Sequence, residues 1–172
     1  MISPLAYVDP AAKLGKNVTV QPFAYIEADV EIGDNNIIMS GARILNGTRM
    51  GHDNKIHHGA VLGAEPQDFQ YTGEHTLLVI GDKNDIRENV VISRGTHEGQ
   101  CTKIGNENYL MDGVHLCHDV QIADHCVLGI KATVAGECRI DSCVILSSNV
   151  LLQQNCHIGS WSLVQSGCRI PK

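Results

Sequence analysis

The stretch IGNENY LMDGVH LCHDVQ IADHCV LGIKAT VAGECR I, residues 104–140, carries an aliphatic residue at every sixth position: Ile104, Leu110, Leu116, Ile122, Leu128, Val134 and Ile140. The phase runs on through Leu146, Leu152, Ile158 and Val164 to Ile170, and back through Ile92, Ile86 and Ile80. It is in step with Leu62, Ile56, Met50, Ile44, Ile38, Ile32, Ile26, Val20, Leu14, Val8 and Ile2. Of the 29 positions in this phase, 26 are apolar. The exceptions, Asp68, Glu74 and Glu98, fall in two segments that read as loops, 63–79 and 93–103. Helical stripes repeat near 3.6 residues and strands near 2, so neither explains a period of six. A three-sided coil does: with one hexad per side, each sixth residue points at the axis of a β-solenoid and roughly 18 residues close a turn. The expected fold is all-β, a parallel β-helix of roughly nine or ten coils stacked ~4.8 Å apart.

Small residues stand four positions after many axial ones: Ala6, Ala12, Ala24, Ala42, Ala60, Ala132, Cys126, Cys138, Cys156 and Cys168. They read as compact buried fillers. Gly15, Gly33, Gly51, Gly63, Gly81, Gly105, Gly129 and Gly159 directly follow the axial residue, where backbones approach closely at a bend.

Composition narrows the function. The 172 residues hold 13 Lys and Arg against 19 Asp and Glu, a net charge of −6, with no basic run to neutralise phosphates, which argues against a nucleic-acid binder. No apolar stretch approaches the ~20 residues of a membrane span, and Met1 to Pro10 lacks the form of a secretory signal. The expectation is a single cytoplasmic domain over 1–172. Seven cysteines, an odd number without a CxxC pair, read as reduced thiols rather than disulfides or a zinc ribbon.

Two histidine groups carry possible chemistry. His52, His57 and His58 invite a metal test, because His52-x4-His57 resembles paired ligands of the γ-class carbonic anhydrases. That family takes a third His from an earlier coil, and no His precedes position 52 here. The second group is Met111-Asp112-Gly113-Val114-His115-Leu116-Cys117-His118-Asp119. Leu116 is axial, so His115 and His118 flank it away from the core, and two imidazoles and a carboxylate are expected to meet at one edge. A His beside an Asp has the parts of a general base and its orienting group, although a solvated corner would also account for the pattern.

His-x-x-His-Asp within such a coil, preceded by Tyr109-Leu110-Met111, resembles the UDP-N-acetylglucosamine O-acyltransferases that begin lipid A synthesis, of the hexapeptide-repeat transferase superfamily. The loop Gln67-Asp68-Phe69-Gln70-Tyr71-Thr72-Gly73-Glu74 resembles that family's nucleotide-sugar loop. Ile86-Arg87-Glu88 and Ser93-Arg94-Gly95-Thr96 follow in the expected order, so the likeness covers essentially the whole chain. The resemblance implies a left-handed coil and a homotrimer. It implies transfer of an acyl chain, as a 3-hydroxyacyl group, from acyl carrier protein to the sugar 3-hydroxyl of UDP-N-acetylglucosamine. His118 would be the general base, Asp119 its orienting partner, and the N–H of Gly136, three hexads further on, the oxyanion donor. Asp68, Gln67, His115, Gln154 and Glu137 match sugar-nucleotide positions, and Ser166 matches a small residue near the end of the acyl groove. No cofactor or metal is expected, since the phosphopantetheine belongs to the carrier-protein donor. The chain departs from the family at Glu137, Gln153 and Gln70, where His, His and Lys are usual, and it is expected to lack the family's C-terminal helical domain. The departures keep two other readings in view: a non-catalytic sugar-nucleotide-binding or structural β-helix, and a zinc-dependent anhydrase.

Overall fold

The computed structural model describes all 172 residues and contains no helix. Strands of two to four residues stack into three parallel sheets. The first has nine strands, from Tyr7–Val8 to Arg169–Ile170; the second has eight, from Lys13–Leu14 to His157–Ile158; the third has eight, from Thr19–Val20 to Leu163–Val164. Successive strands of the chain visit the three sheets in turn, so each coil is a triangle and each side pairs with the same side one coil away. Typical partners are three hexads apart in the chain, as in Tyr7 with Tyr25 and His115 with Thr133.

Two excursions interrupt the count without breaking the phase. Leu62 pairs with Ile92, five hexads on, and Ile92 pairs with Leu116, four hexads on, where a regular coil takes three. Whole hexads are added each time, so the axial phase is kept. The loops are shorter than the predicted 63–79 and 93–103, because strands Val61–Ala64, Leu77–Ile80, Val91–Ser93 and Cys101–Ile104 extend into them. The excursions proper are residues 65–76 and 94–100.

The axial column forms the core. Ile26, Ile38, Ile44, Ile56, Leu62, Ile86, Ile92, Leu110 and Leu116 are all fully buried within one apolar cluster of 36 residues. At roughly 25 cal/mol per Å² of apolar surface, burial of a Leu or Ile contributes about 1.5–3 kcal/mol, so a stack of small aliphatics supplies the driving force that the few aromatics do not.

The slot four residues past the axial position is not uniformly apolar. On one side of the prism it holds Asn36, Asn54, Asn84 and Asn108, all buried. Each side-chain oxygen accepts from the backbone N–H one coil on: Asn36 from Asn54 at 2.8 Å, Asn54 from Asn84 at 2.8 Å, Asn84 from Asn108 at 2.9 Å and Asn108 from Cys126 at 2.8 Å. Each amide in turn donates to a corner carbonyl, including Gly51, Gly81, Gly105 and Ala123. This ladder satisfies backbone groups that the bend removes from the sheets.

The bend is made by the residue three past the axial one. Asn17, Asn35, Asp53, Asn89, Asp119, Glu137, Asn149 and Asn155 occupy it with φ between 57° and 64°. Asn and Asp tolerate this left-handed conformation better than other side chains. The glycines directly after the axial residue have a different role, close packing. A Cβ on Gly33 would lie 2.6 Å from the Gly51 carbonyl oxygen, whereas Gly159 faces open space.

Replacing Asn84 by Ala leaves the buried Asn108 N–H and the partly buried Gly105 carbonyl without partners. Each such loss costs about 1–3 kcal/mol. The N84A protein should therefore unfold on the order of 5–15 °C below the parent in a thermal melt; a change under about 1 °C would show that the ladder carries no stability.

Candidate active site

His118 lies two residues past the axial Leu116, at the corner where the chain leaves the first sheet for the second. The residue is 7% exposed. Its Nδ1 is 3.0 Å from Asp119 Oδ2. Asp119 is the left-handed corner residue, at φ 61°, and its backbone N–H donates to Thr102 Oγ1 at 2.9 Å. That conformation sets the carboxylate beside the ring that precedes it. The Thr96 N–H donates to the same Oδ2 at 3.2 Å, while Asp119 Oδ1 is buried without a partner. An ionised carboxylate can only accept, so Nδ1 carries the hydrogen and the lone pair is left on Nε2.

Nε2 faces two groups. Asp68 Oδ2, from the loop 65–76, stands 3.6 Å away, outside hydrogen-bond distance. On another side lies Gly136, one coil on, where a Cβ would land on Nε2 and Cε1. Only glycine permits this approach. No backbone carbonyl accepts from the Gly136 N–H. The open Nε2 and the unpaired amide donor therefore occupy one ridge, and Gln154 lies one coil further along it, donating to Glu137 Oε1 at 3.4 Å.

Asp68 is held in place by the two excursions together. Its Oδ1 accepts from the Gln70 N–H at 3.0 Å and its Oδ2 from Thr96 Oγ1 at 3.1 Å, while His97 Nε2 meets Gln70 Oε1 at 3.1 Å. The Gln70 N–H above all, with the Thr96 hydroxyl and the nearby His118, holds the Asp68 carboxyl below its ordinary value of 3.8 against a smaller opposing effect of burial.

The remaining predicted residues are placed less centrally. His115 pairs in register with Val91 and Thr133 on the flat first sheet and makes no hydrogen bond to His118 or Asp119. Strand alternation turns His115 outward onto the face of the first sheet, and His118 follows at the corner three residues on. Burial pushes the His115 pKa down, so the half-buried ring is neutral. Gln67 is exposed on the loop. Ser166 follows Val164 of the third sheet and lies on a different ridge from His118, so a single chain does not bring it to the dyad. Thr96, the last residue of the Ser93-Arg94-Gly95-Thr96 motif, joins the site, and so does Thr102, which no motif in the sequence marks. Thr102 is buried, in a slot that elsewhere holds mostly small apolar residues or asparagine.

The other histidines do not converge. His57 Nε2 meets Asp85 Oδ1 at 2.7 Å, His52 Nδ1 accepts from the Asp34 N–H at 2.7 Å, and His58 Nδ1 lies 3.2 Å from the Ser40 carbonyl. Three rings committed to three separate partners do not form a metal-binding set.

The coil and its dyad define a parallel β-helix of the hexapeptide-repeat class. The bacterial transferase hexapeptide family (six repeats) matches residues 11–46 and, overlapping, 29–64. A UDP-N-acetylglucosamine acyltransferase from Bacteroides fragilis superposes with a TM-score of 0.97 at 51% identity, over 98% of this chain and 66% of that one, and gives the coil its left hand. An acyl-(acyl-carrier-protein):UDP-N-acetylglucosamine O-acyltransferase of Pseudomonas fluorescens is 49% identical over all of this chain and 67% of its own length. One from Stutzerimonas stutzeri is 43% identical over the same shares. The chain belongs to the acyl-(acyl-carrier-protein):UDP-N-acetylglucosamine O-acyltransferase family. It spans about two thirds of the length of these relatives, and an alignment to one from Nautilia profundicola covers 41% of that protein.

Two outcomes follow from this geometry. Gly136→Ala should abolish function at the ridge while the protein still melts cooperatively, because the added methyl displaces the imidazole; wild-type activity in G136A would show the close approach to be dispensable. The Asp68 carboxyl titrates below its ordinary 3.8 in the folded protein, so its stabilisation of the loop is complete above that pH and is lost as the pH falls below it. Amide protection in 65–76, taken relative to intrinsic exchange rates, should thus be high at neutral pH and fall below pH 3.8, whereas D68N should be poorly protected at both. Equal protection in the two proteins would count against Asp68 as the group that holds the loop.

Proposed function

We propose that the chain carries the acyl-transfer centre of a UDP-N-acetylglucosamine O-acyltransferase. The observation that supports this best is the open Nε2 of His118 beside the unpaired N–H of Gly136. In the proposed reaction the sugar 3-hydroxyl attacks the thioester carbonyl of acyl carrier protein. Nε2 takes the hydroxyl proton as the new C–O bond forms, and Asp119 compensates the imidazolium. The carbonyl oxygen, now an oxyanion, accepts from the Gly136 N–H. Collapse breaks the C–S bond, and the phosphopantetheine thiolate leaves with the proton returned from Nε2. The products are the O-acyl sugar nucleotide and a free carrier thiol, and His118 is restored. No separate cofactor enters this scheme. The acyl group, on the family's pattern, is a 3-hydroxyacyl chain.

Asp68, Gln67, Gln154 and Glu137 lie on the ridge or the loop beside it and are assigned to the sugar nucleotide. His115 and Ser166 lie off the ridge and belong to the site only if a second chain packs against the first sheet. A homotrimer would supply that chain. It is supported by an apolar run on the outward face of the third sheet, Tyr109, Val127, Ile145 and Leu163, which follows Lys55 and Asp85 in the same column. Ile145 and Leu163 are 41% and 61% exposed in the single chain.

Glu137 favours a second reading, binding without turnover. A carboxylate one coil from Asp119 adds negative charge where the family has a His, and an unpaired negative charge opposes a diphosphate. Titration calorimetry with UDP-N-acetylglucosamine, with and without acyl carrier thioester, separates the two. For the leading reading, His118→Ala should lower kcat/KM by about 10²–10⁴ while sugar-nucleotide affinity changes only a few-fold. Turnover retained in H118A would remove His118 from the chemistry.

A further inference from the structure

We infer that Thr96 is a positioning residue that keeps the base nitrogen of His118 free, by holding Asp68 Oδ2 away from it. The kinetic part of this inference rests on the function proposed above; the geometric part does not.

Thr96 is 1% exposed and contacts both carboxylates that flank the imidazole. Its N–H donates to Asp119 Oδ2 at 3.2 Å and its hydroxyl to Asp68 Oδ2 at 3.1 Å. Asp119 Oδ2 is the atom bound to Nδ1, and Asp68 Oδ2 is the atom 3.6 Å from Nε2. Two carboxylates on opposite nitrogens of one ring pose a problem for a base. Asp119 on Nδ1 is useful, since it fixes the tautomer. A second carboxylate bonded to Nε2 would hold a proton there, because an ionised acceptor stabilises the doubly protonated ring. The Thr96 hydroxyl gives Asp68 Oδ2 a different donor and keeps it short of bonding distance. The backbone of the same residue braces Asp119, so one side chain and its own amide set both carboxylates. The Gln70 N–H holds the other oxygen of Asp68 at 3.0 Å and completes the restraint.

The charged groups around the ring are few. Asp119 comes from its own corner and Asp68 from the loop 65–76, with His97 from the second loop near Asp68. Glu137 lies one coil on, where its N–H donates to the His118 carbonyl and its carboxylate accepts from Gln154. The neighbouring Cys117 thiol is neutral, its pKa pushed up by burial. Asp68 is thus the group whose position decides what Nε2 meets.

The test compares Thr96→Val, which keeps shape and N–H but removes the hydroxyl, with Thr96→Ser, which keeps the hydroxyl. Imidazole 15N shifts are read by NMR at pH 7 in the full chain. In T96V the Nε2 resonance of His118 should move toward the protonated position, and in T96S it should stay at the wild-type value. In the double variant D68N/T96V the Nε2 shift should match that of D68N alone, since the neutral amide no longer draws a proton to the ring. In turnover assays the acid limb of the pH–rate profile should move to higher pH in T96V, with kcat at pH 7 down about tenfold and restored in T96S. An unchanged Nε2 resonance in a folded T96V, or a T96S that behaves as T96V does, overturns the inference. If T96V fails to fold, T96S and Thr96→Ala are read in the same way. An enzyme without acyltransferase turnover would refute the proposed function, and the NMR comparison would still decide the role of Thr96.

Discussion

The register of the parallel ladders governs everything else in this molecule. A strand pairs with the strand one coil away, and each coil adds three hexads except at the two excursions. Residues remote in sequence consequently stand on one ridge at about the spacing of neighbouring strands, ~4.8 Å. His118, Gly136 and Gln154 are three such residues. A side chain on Gly136 would strike the imidazole, so the coil spacing and the missing Cβ together set how near the amide comes to the ring. The dyad itself is local: the left-handed corner at Asp119 follows His118 directly and turns its carboxylate to the ring.

The prism resolves two opposing demands. Bending the chain every six residues takes backbone groups out of the sheets, and unpaired buried amides are costly. The asparagine ladder from Asn36 to Asn108 answers this on one side, and thiols contribute elsewhere, as where Cys138 donates to the Gln153 carbonyl at 3.0 Å. Burial pushes the Cys138 pKa up to about 11, which keeps that thiol a neutral donor. With the scaffold satisfied internally, the excursions 65–76 and 94–100 can serve the site. They do so jointly, tied at Asp68 to Thr96 and at Gln70 to His97.

The period of six makes the axial column legible from sequence, since apolar side chains reveal their own burial. The corner three residues later is harder to see. It holds Asn, Asp and Gly, but also Phe23, Lys131, Glu137 and Trp161, and so shares a conformation rather than a chemistry. The asparagines escape a sequence reading because a buried polar residue looks like a surface one until its partner, a backbone N–H one coil on, is placed. The same reason hides Thr102 and the bonds that Thr96 makes, since their partners belong to other segments. His115 is adjacent to an axial residue on the flat of the sheet, while His118 is around the corner. His118 and Asp119 stand out in the sequence as an adjacent His–Asp pair, and Gly136 enters through the family resemblance, counting whole turns placing it one coil from His118.

A crystal structure of the chain with UDP-N-acetylglucosamine bound would place the acceptor oxygen relative to the base. The account requires the sugar 3-hydroxyl oxygen to lie about 2.6–3.2 Å from His118 Nε2, with Gly136 N–H directed at the space beside it. A sugar bound with that hydroxyl turned away from Nε2, or seated on another ridge of the prism, would mean that the stacked pair does not form the catalytic centre.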